Sequence, residues 1–98
     1  MKNTFYKSTI FNDDQIPYFC WDRKLTVKNI HQKLKELTGI KRILFSAWVM
    51  REAAFRDVWV FLTPREVWRD FSELKRFPGR KMAFWEYIMG KWHELGKV

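Results

Sequence analysis

The sequence predicts an all-α fold, a small bundle of four main helices plus a short helical turn, preceded by an extended N-terminal arm. Apolar residues recur at helical spacing along most of the chain from Thr26 onward. The strongest local signal is Thr63-Pro64-Arg65-Glu66, a capping box with proline at the first helical position. A chain of 98 residues, 47% of them apolar, is long enough for one core and too short for two. We therefore expect an arm over residues 1–16 and a single helical domain over residues 17–98.

Charge and cysteine content limit the class of protein. Nineteen Lys and Arg against eleven Asp and Glu give a net charge of +8, which favours nucleic acid, acidic protein surfaces or anionic lipid as partners. The one cysteine, Cys20, excludes an intrachain disulfide and a multi-cysteine metal site, and a reducing cytoplasm fits best. The sequence shows neither a signal peptide nor an apolar run long enough to cross a membrane. We expect a cytoplasmic protein that needs no cofactor and no membrane.

The first sixteen residues mix aromatic and polar side chains without a clear period, which indicates an extended arm. Its aromatic residues are candidate contacts to the helices or to another subunit: Phe5, Tyr6 and Phe11. Pro17 then fixes an extended backbone. We predict that Tyr18-Phe19-Cys20-Trp21 continues as a short extended aromatic segment, which ends at Asp22.

The first helix has a clear start and a basic outer face. Thr26 is its predicted N-cap, and Gly39 is expected to stop it. Its buried stripe is predicted to be Val27, Ile30, Leu34 and Leu37. Lysines dominate the solvent side, which carries a first basic cluster of Lys24, Lys28, Lys33 and Lys35.

The central helix is predicted over Ile40–Phe55 and is apolar on two sides. The broader face should turn toward the core and contains Ile40, Ile43, Leu44, Ala47, Trp48, Ala54 and Phe55. On the opposite side Phe45, Val49 and Ala53 recur at every fourth position, where an ordinary surface helix carries charge. Such a helix is either packed on both faces by its own chain or keeps one face for a partner. Phe45 and Val49 are therefore candidate protein contacts.

Arg51 lies in the middle of the face predicted to be buried. A guanidinium in that position is costly unless it is paired. A structural ion pair is the simplest interpretation, with Asp22 and Asp57 as the carboxylates to test first. The functional alternative is an anchor for an anion or a carboxylate.

The second half of the chain contains three further helical segments. Residues 58–62 are expected to form one or two helical turns, because a single strand would have no mate. A longer helix begins after Thr63, with an outer pair from Arg69 to Glu73, and stops at Phe77-Pro78-Gly79. The last helix runs from about Arg80 to Leu95. A second basic cluster surrounds the turn before it: Lys75, Arg76, Arg80 and Lys81.

Candidate catalytic groups are isolated in the sequence. His31 and His93 lie on different helices with no carboxylate or cysteine at ligand spacing, and no glycine-rich phosphate loop is present. Cys20 stands in an apolar segment, as an inert packed thiol would. We therefore expect a protein that is not an enzyme.

The chain resembles a family of uncharacterised small prokaryotic proteins whose members share a Tyr-Phe-x-Trp-Asp motif. The resemblance runs from about Pro17 to Trp92. It rests on Pro17-Tyr18-Phe19-Cys20-Trp21-Asp22, Leu25-Thr26, Arg51-Glu52-Ala53, the run from Asp57 to Val67, Phe84-Trp85-Glu86 and Trp92. Genes of such proteins often lie beside nucleotidyltransferase-type toxin genes. The resemblance therefore implies an antitoxin or an accessory partner of such a toxin.

Two functions stay open at this point. The first is a non-enzymatic protein-interaction module that binds other copies of itself in a homo-oligomer or binds a toxin-like nucleotidyltransferase. The alternative is a nucleic-acid-binding protein that uses the two basic clusters on phosphates. No Asn or Gln stands with Arg at helical spacing on an obvious recognition helix, so sequence-specific reading of DNA has little support.

Overall fold

A computed structural model of the protein describes residues 12–20, 22–77 and 79–98. Its α-helices are α1 Val27–Glu36, α2 Gly39–Glu52, α3 Phe55–Phe61, α4 Pro64–Arg69, α5 Phe71–Leu74 and α6 Met82–Glu94. Short 3-10 turns, Tyr18–Cys20 and Gly79–Lys81, precede α1 and α6. No strand occurs within the described ranges. The predicted all-α fold is confirmed, while the candidate contacts Phe5, Tyr6 and Phe11 lie outside the described residues.

The start of α1 is fixed on both sides of its first turn. Thr26 is the N-cap, as predicted, and Asn29 completes a capping box: the Thr26 hydroxyl accepts from the Asn29 amide at 3.1 Å, and the Thr26 amide donates to the Asn29 side chain at 3.2 Å. The amides of Val27 and Lys28 donate to the carbonyls of Gln15 and Asp13 at 2.9 and 3.0 Å. Residues 13 and 15 of the predicted arm therefore contact the helical part of the chain.

The segment Tyr18–Cys20 is a 3-10 turn, and the prediction of an extended segment is wrong there. The Cys20 amide donates to the Pro17 carbonyl at 2.9 Å and closes the turn. An extended backbone would point neighbouring side chains to opposite sides. In the turn, Phe19 and Cys20 are both buried, and the Phe19 ring packs 5.5 Å from Trp48 and 6.0 Å from Phe61.

Gly39 begins a helix instead of ending one. α1 stops at Glu36, and Gly39, with φ at +60°, is the first residue of α2. A glycine reaches this left-handed conformation without steric cost, which lets the chain turn between the two helices. α2 ends at Glu52, three residues before the predicted end, because Phe55 already starts α3.

The helix predicted after Thr63 starts as expected and then breaks. The Glu66 carboxylate accepts from the Thr63 amide at 3.2 Å, which confirms the capping box. At Asp70 the backbone leaves the helical region, with φ and ψ at −99° and 8°, and this residue separates α4 from α5. Arg69 bonds to Asp70 at 2.9 and 3.1 Å instead of the predicted Glu73.

The core is built around α2, which contacts α1, α3 and α5. Its central residues from Phe45 to Met50 are all buried. Phe45 is 7% exposed and Val49 is 0% exposed, so the interpretation of these two residues as an open protein-binding strip is corrected. Most of the circumference of α2 is covered by its own chain. A second aromatic group joins α3 to α6 and contains Phe55, Trp59, Trp85 and Trp92.

The ion pair that joins the helices belongs to Arg42. Its guanidinium lies 2.6 Å from a Glu66 oxygen on α4 and 3.8 Å from an Asp70 oxygen at the α4–α5 break, and it also donates to the Leu34 carbonyl on α1 at 3.1 Å. One side chain therefore connects four segments along the covered side of α2. Charge-assisted hydrogen bonds of this kind are about twice as strong as neutral ones.

Candidate protein-binding groove

A narrow stripe of α2 reaches solvent, and it lies on the face that the sequence predicted to be buried. Ile40 is 57% exposed and Leu44 is 47% exposed. At 100° per residue, Arg51 falls between these two side chains on the helix circumference. The Arg51 guanidinium, which was predicted to lie on a core-facing side, therefore lies on the solvent-exposed side of the helix.

An open groove runs beside this stripe and has a volume of about 380 Å³. Apolar side chains form its floor, Leu37, Phe45, Trp48 and Phe77, and the more exposed Leu44 stands above them. Basic side chains form its rim: Arg23, Lys41 and Arg51. The residues that line the groove include no carboxylate. The groove thus combines an apolar floor with a positive rim.

Local contacts hold two of the three rim cations in place. The guanidinium carbon of Arg23 lies 4.5 Å from the centroid of the Trp48 ring, a cation–π contact. Arg51 donates to the Glu52 carboxylate at 3.0 Å and to the Phe77 carbonyl at 3.4 Å. This second bond links Arg51 to the turn after α5, whose Phe77 also lines the groove. Lys41 is exposed in the first turn of α2.

The predicted partners of Arg51 are wrong. Its carboxylate contact among the described residues is Glu52, with about 43% and 44% of the two side chains exposed. Asp22 is exposed, whereas Asp57 is buried and accepts a hydrogen bond of 2.7 Å from the Tyr18 hydroxyl. The same hydroxyl accepts from the Ala54 amide at 2.7 Å. Burial and the Asp57 carboxylate raise the pKa of Tyr18, while the bond from Ala54 opposes that rise.

The structure divides the first basic cluster. Its four lysines, Lys24, Lys28, Lys33 and Lys35, are all exposed. Lys28 and Lys35 line a second surface depression together with His31 and Gln32, but Lys33 does not share that depression. The carbonyl of Asp13, one of two neighbouring exposed acids, accepts from the Lys28 amide, so acidic residues flank this face.

One member of the second basic cluster is partly buried. Lys75, Arg76 and Arg80 are exposed. Lys81 is half-buried, and its ammonium donates to the Ala53 carbonyl at the end of α2 at 3.1 Å. Burial lowers the pKa of Lys81, although the Glu52 carboxylate acts in the opposite direction. Lys81 therefore ties helix ends together, while the other three members remain available at the surface beside Phe77.

The candidate catalytic side chains are packed against the core or against aromatic rings. The His31 ring lies 5.1 Å from Phe61, and the His93 ring stacks on Trp68 at 4.5 Å. Within the described ranges, no three His, Cys, Asp or Glu side chains are grouped so that they could hold a metal ion. None of the described helices is both long and apolar enough to cross a membrane.

Cys20 should be inert in the folded protein. It is fully buried, and burial raises the pKa of its thiol to about 11. The thiolate is the nucleophile that attacks a disulfide reagent, and the raised pKa keeps Cys20 protonated, so we expect no reaction at pH 8 in the native state and one reacting thiol per chain after denaturation in guanidinium. The reaction is followed by the absorbance of a nitrobenzoate disulfide reagent. Rapid reaction of the native protein would contradict the burial of Cys20.

Comparison of the chain with protein-family models, with curated proteins and with solved structures gives no match. Its function must therefore be inferred from the residues that its own fold brings together. Of these, sequence patterns singled out Phe45 as a protein contact and Arg51 as an anion or carboxylate anchor. As site residues they missed Arg23, Leu37, Lys41, Leu44, Trp48 and Phe77. The available signal was the placement of Lys41 and Arg51 on the flank and centre of the same face of α2.

Proposed function

We propose that this protein is a non-enzymatic protein-interaction module and that it holds a segment of a partner protein in the groove along α2. The observation that carries the proposal is the half-exposed Leu44 above an apolar floor, in the middle of a basic rim. An apolar centre bordered by charged side chains resembles the core and rim of a protein interface. A partner that covered Leu44 would remove this surface from water.

The groove suits protein better than nucleic acid. Single-stranded nucleic acids bind to grooves of this charge when aromatic rings offer open faces on which bases can stack. Here Phe45 and Trp48 are each only 7% exposed, the Arg23 guanidinium already lies over the Trp48 ring, and the third aromatic lining residue, Phe77, is half-buried. The most exposed apolar side chain of the groove is Leu44, which offers an aliphatic contact. The competing function is binding of nucleic acid through the exposed lysines of α1 and of the turn after α5, and an experiment must be able to detect it.

The resemblance described above gives the first partner to test. We propose a toxin-like nucleotidyltransferase, with this protein as its antitoxin or accessory subunit. Support for this finer assignment is the resemblance itself, which rests on the motifs quoted above between Pro17 and Trp92.

Replacing Leu44 with Glu should separate binding from folding. The tagged full chain is purified from its source cell, the captured protein is identified and purified, and its Kd is measured for three forms of the chain. We expect Leu44→Glu to weaken binding about 100-fold, or about 2.7 kcal/mol, because a carboxylate would be desolvated against the partner. Ile40→Glu is the matched control, since Ile40 is somewhat more exposed on α2 than Leu44 but does not line the groove.

The control should bind within about threefold of the unmodified chain, and both variants should keep its melting temperature, as surface substitutions usually do. Equal loss of affinity in both variants would place the interface elsewhere on α2. The proposal would also fail if no protein were retained in stoichiometric amount, or if the captured molecule were nucleic acid.

A further inference from the structure

Resting on the proposed function, we infer that the segment held in the groove is an acidic amphipathic helix of another protein. Its apolar stripe contacts Leu44 and the floor, and its carboxylates pair with Arg23, Lys41 and Arg51. Each part of this assignment follows from a different property of the groove: the sign of its charge, its length and the absence of a strand edge.

The positive charge of the groove indicates that the partner segment is acidic. Three cations surround the floor without a carboxylate among the lining residues, and the Glu52 carboxylate reaches Arg51 from outside the groove. Lys75 and Arg76 are exposed immediately before Phe77, and they extend the positive field past the end of the groove. Opposite charge on the partner would steer the encounter and fix its register, whereas a basic segment would be repelled.

The length of the groove and its backbone surroundings indicate the conformation of the bound segment. The lining residues of α2 run from Lys41 to Arg51, which corresponds to about 15 Å along the helix axis. About ten residues of a second helix span the same length. A bound extended strand would need an open sheet edge for its backbone hydrogen bonds, and the described residues hold no strand. Among the other recognition modes, we infer docking of an amphipathic helix, because most of the lining residues follow one helix, α2, and a second helix can lie along it with an apolar stripe on Leu44 and acidic flanks on the rim.

Two occupants from this chain itself fit poorly. A second copy that met the first groove to groove would bring two basic rims together. The first eleven residues carry Lys2 and Lys7 and no acidic residue, so their charge has the wrong sign for the rim. A separate acidic protein satisfies the charge of the groove, and neither alternative does.

The test uses a fluorescent peptide of about 14 residues with leucines at i, i+3, i+4 and i+7 and glutamates on both flanks. Binding to the full chain is measured by anisotropy. We expect Lys41→Glu to weaken this peptide at least tenfold. Lys28→Glu is the matched control, because it makes the same charge change on an exposed lysine in the first turn of α1, away from the groove. Its Kd should stay within about threefold.

Two further peptides test the stated chemistry. A version with every Glu replaced by Gln should bind at least tenfold more weakly, and a scrambled version whose leucines no longer share a face should do the same. Equal binding of the scrambled peptide, or equal sensitivity to Lys28→Glu, would mean that only unspecific charge attraction is present and would overturn the inference. A single-stranded oligonucleotide that displaces the peptide with a steep salt dependence would also overturn it.

The proposed function can survive the loss of this inference. If Leu44→Glu releases the native partner while the acidic peptide fails to bind, the groove is an interface and its occupant has another chemistry. If the peptide binds as expected but the native partner ignores Leu44→Glu, the groove recognises acidic helices but the natural interface lies elsewhere.

Discussion

Phe45→Ala should lower the free energy of unfolding by about 3–5 kcal/mol, because it empties a buried aromatic site in the middle of α2. Typical domains are stable by only about 5–15 kcal/mol, so the variant should lose a large part of its stability. Phe45 is 7% exposed, and its ring packs 5.4 Å from that of Trp48. Urea denaturation followed by far-UV circular dichroism measures the change directly.

Leu44→Ala is the control at the neighbouring position. Leu44 is 47% exposed, so its truncation should cost about 1 kcal/mol or less. A loss for Phe45→Ala no larger than that for Leu44→Ala would mean that the buried and exposed sides of α2 have been exchanged. The groove would then have no apolar floor, and the proposed function would lose its basis.

Arg42→Ala should produce the second large effect, about 2–3 kcal/mol. The substitution leaves Glu66 and Asp70 without this cation and removes a donor from the Leu34 carbonyl. Fully buried pairs lose about 3–5 kcal/mol in such experiments. We expect a smaller value because about 21% of the Arg42 and Glu66 side chains is exposed, so solvent screens the pair.

Arg51→Ala provides the comparison, and it reverses the expectation drawn from sequence. Its pair with Glu52 lies at the surface, where ion pairs contribute about 0–1 kcal/mol. Thermal or urea unfolding of the two alanine variants should therefore rank Arg42 well above Arg51. If the two substitutions cost the same, the connections of Arg42 to α1, α4 and the α4–α5 break contribute nothing beyond a surface pair.

Local signals predicted the helix starts well. The caps at Thr26 and Thr63 depend on residues within one turn, so a short window of sequence contains all the information. The break at Asp70 has no such signal. Its backbone leaves the helical region beside Phe71 and Leu74, which are both buried, and Arg42 reaches Asp70 from a different helix. Such a break depends on tertiary contacts, which periodicity does not contain.

The orientation of α2 was the main error, and its cause is physical. A helix surrounded by its own chain is apolar over most of its circumference. Its hydrophobic pattern therefore does not show which narrow stripe is exposed to solvent. The charged residues were the better guide, because Lys41 and Arg51 flank or share the exposed stripe of Ile40 and Leu44. The groove itself was out of reach. Its walls come from the segment before α1, the α1–α2 junction and the turn after α5.

The hydroxyl of Tyr18 also has a consequence for how the chain folds during synthesis. Tyr18 and Asp57 are 39 positions apart, and the amide at the start of α3 bonds to the same hydroxyl. Because synthesis proceeds from the N-terminus, Tyr18 leaves the ribosome well before Ala54. Neither of these two bonds can form until residues 54–57 have been synthesised. The loop that the bonds close contains both α1 and α2, so α3 gains this partner only after both of those helices have been made.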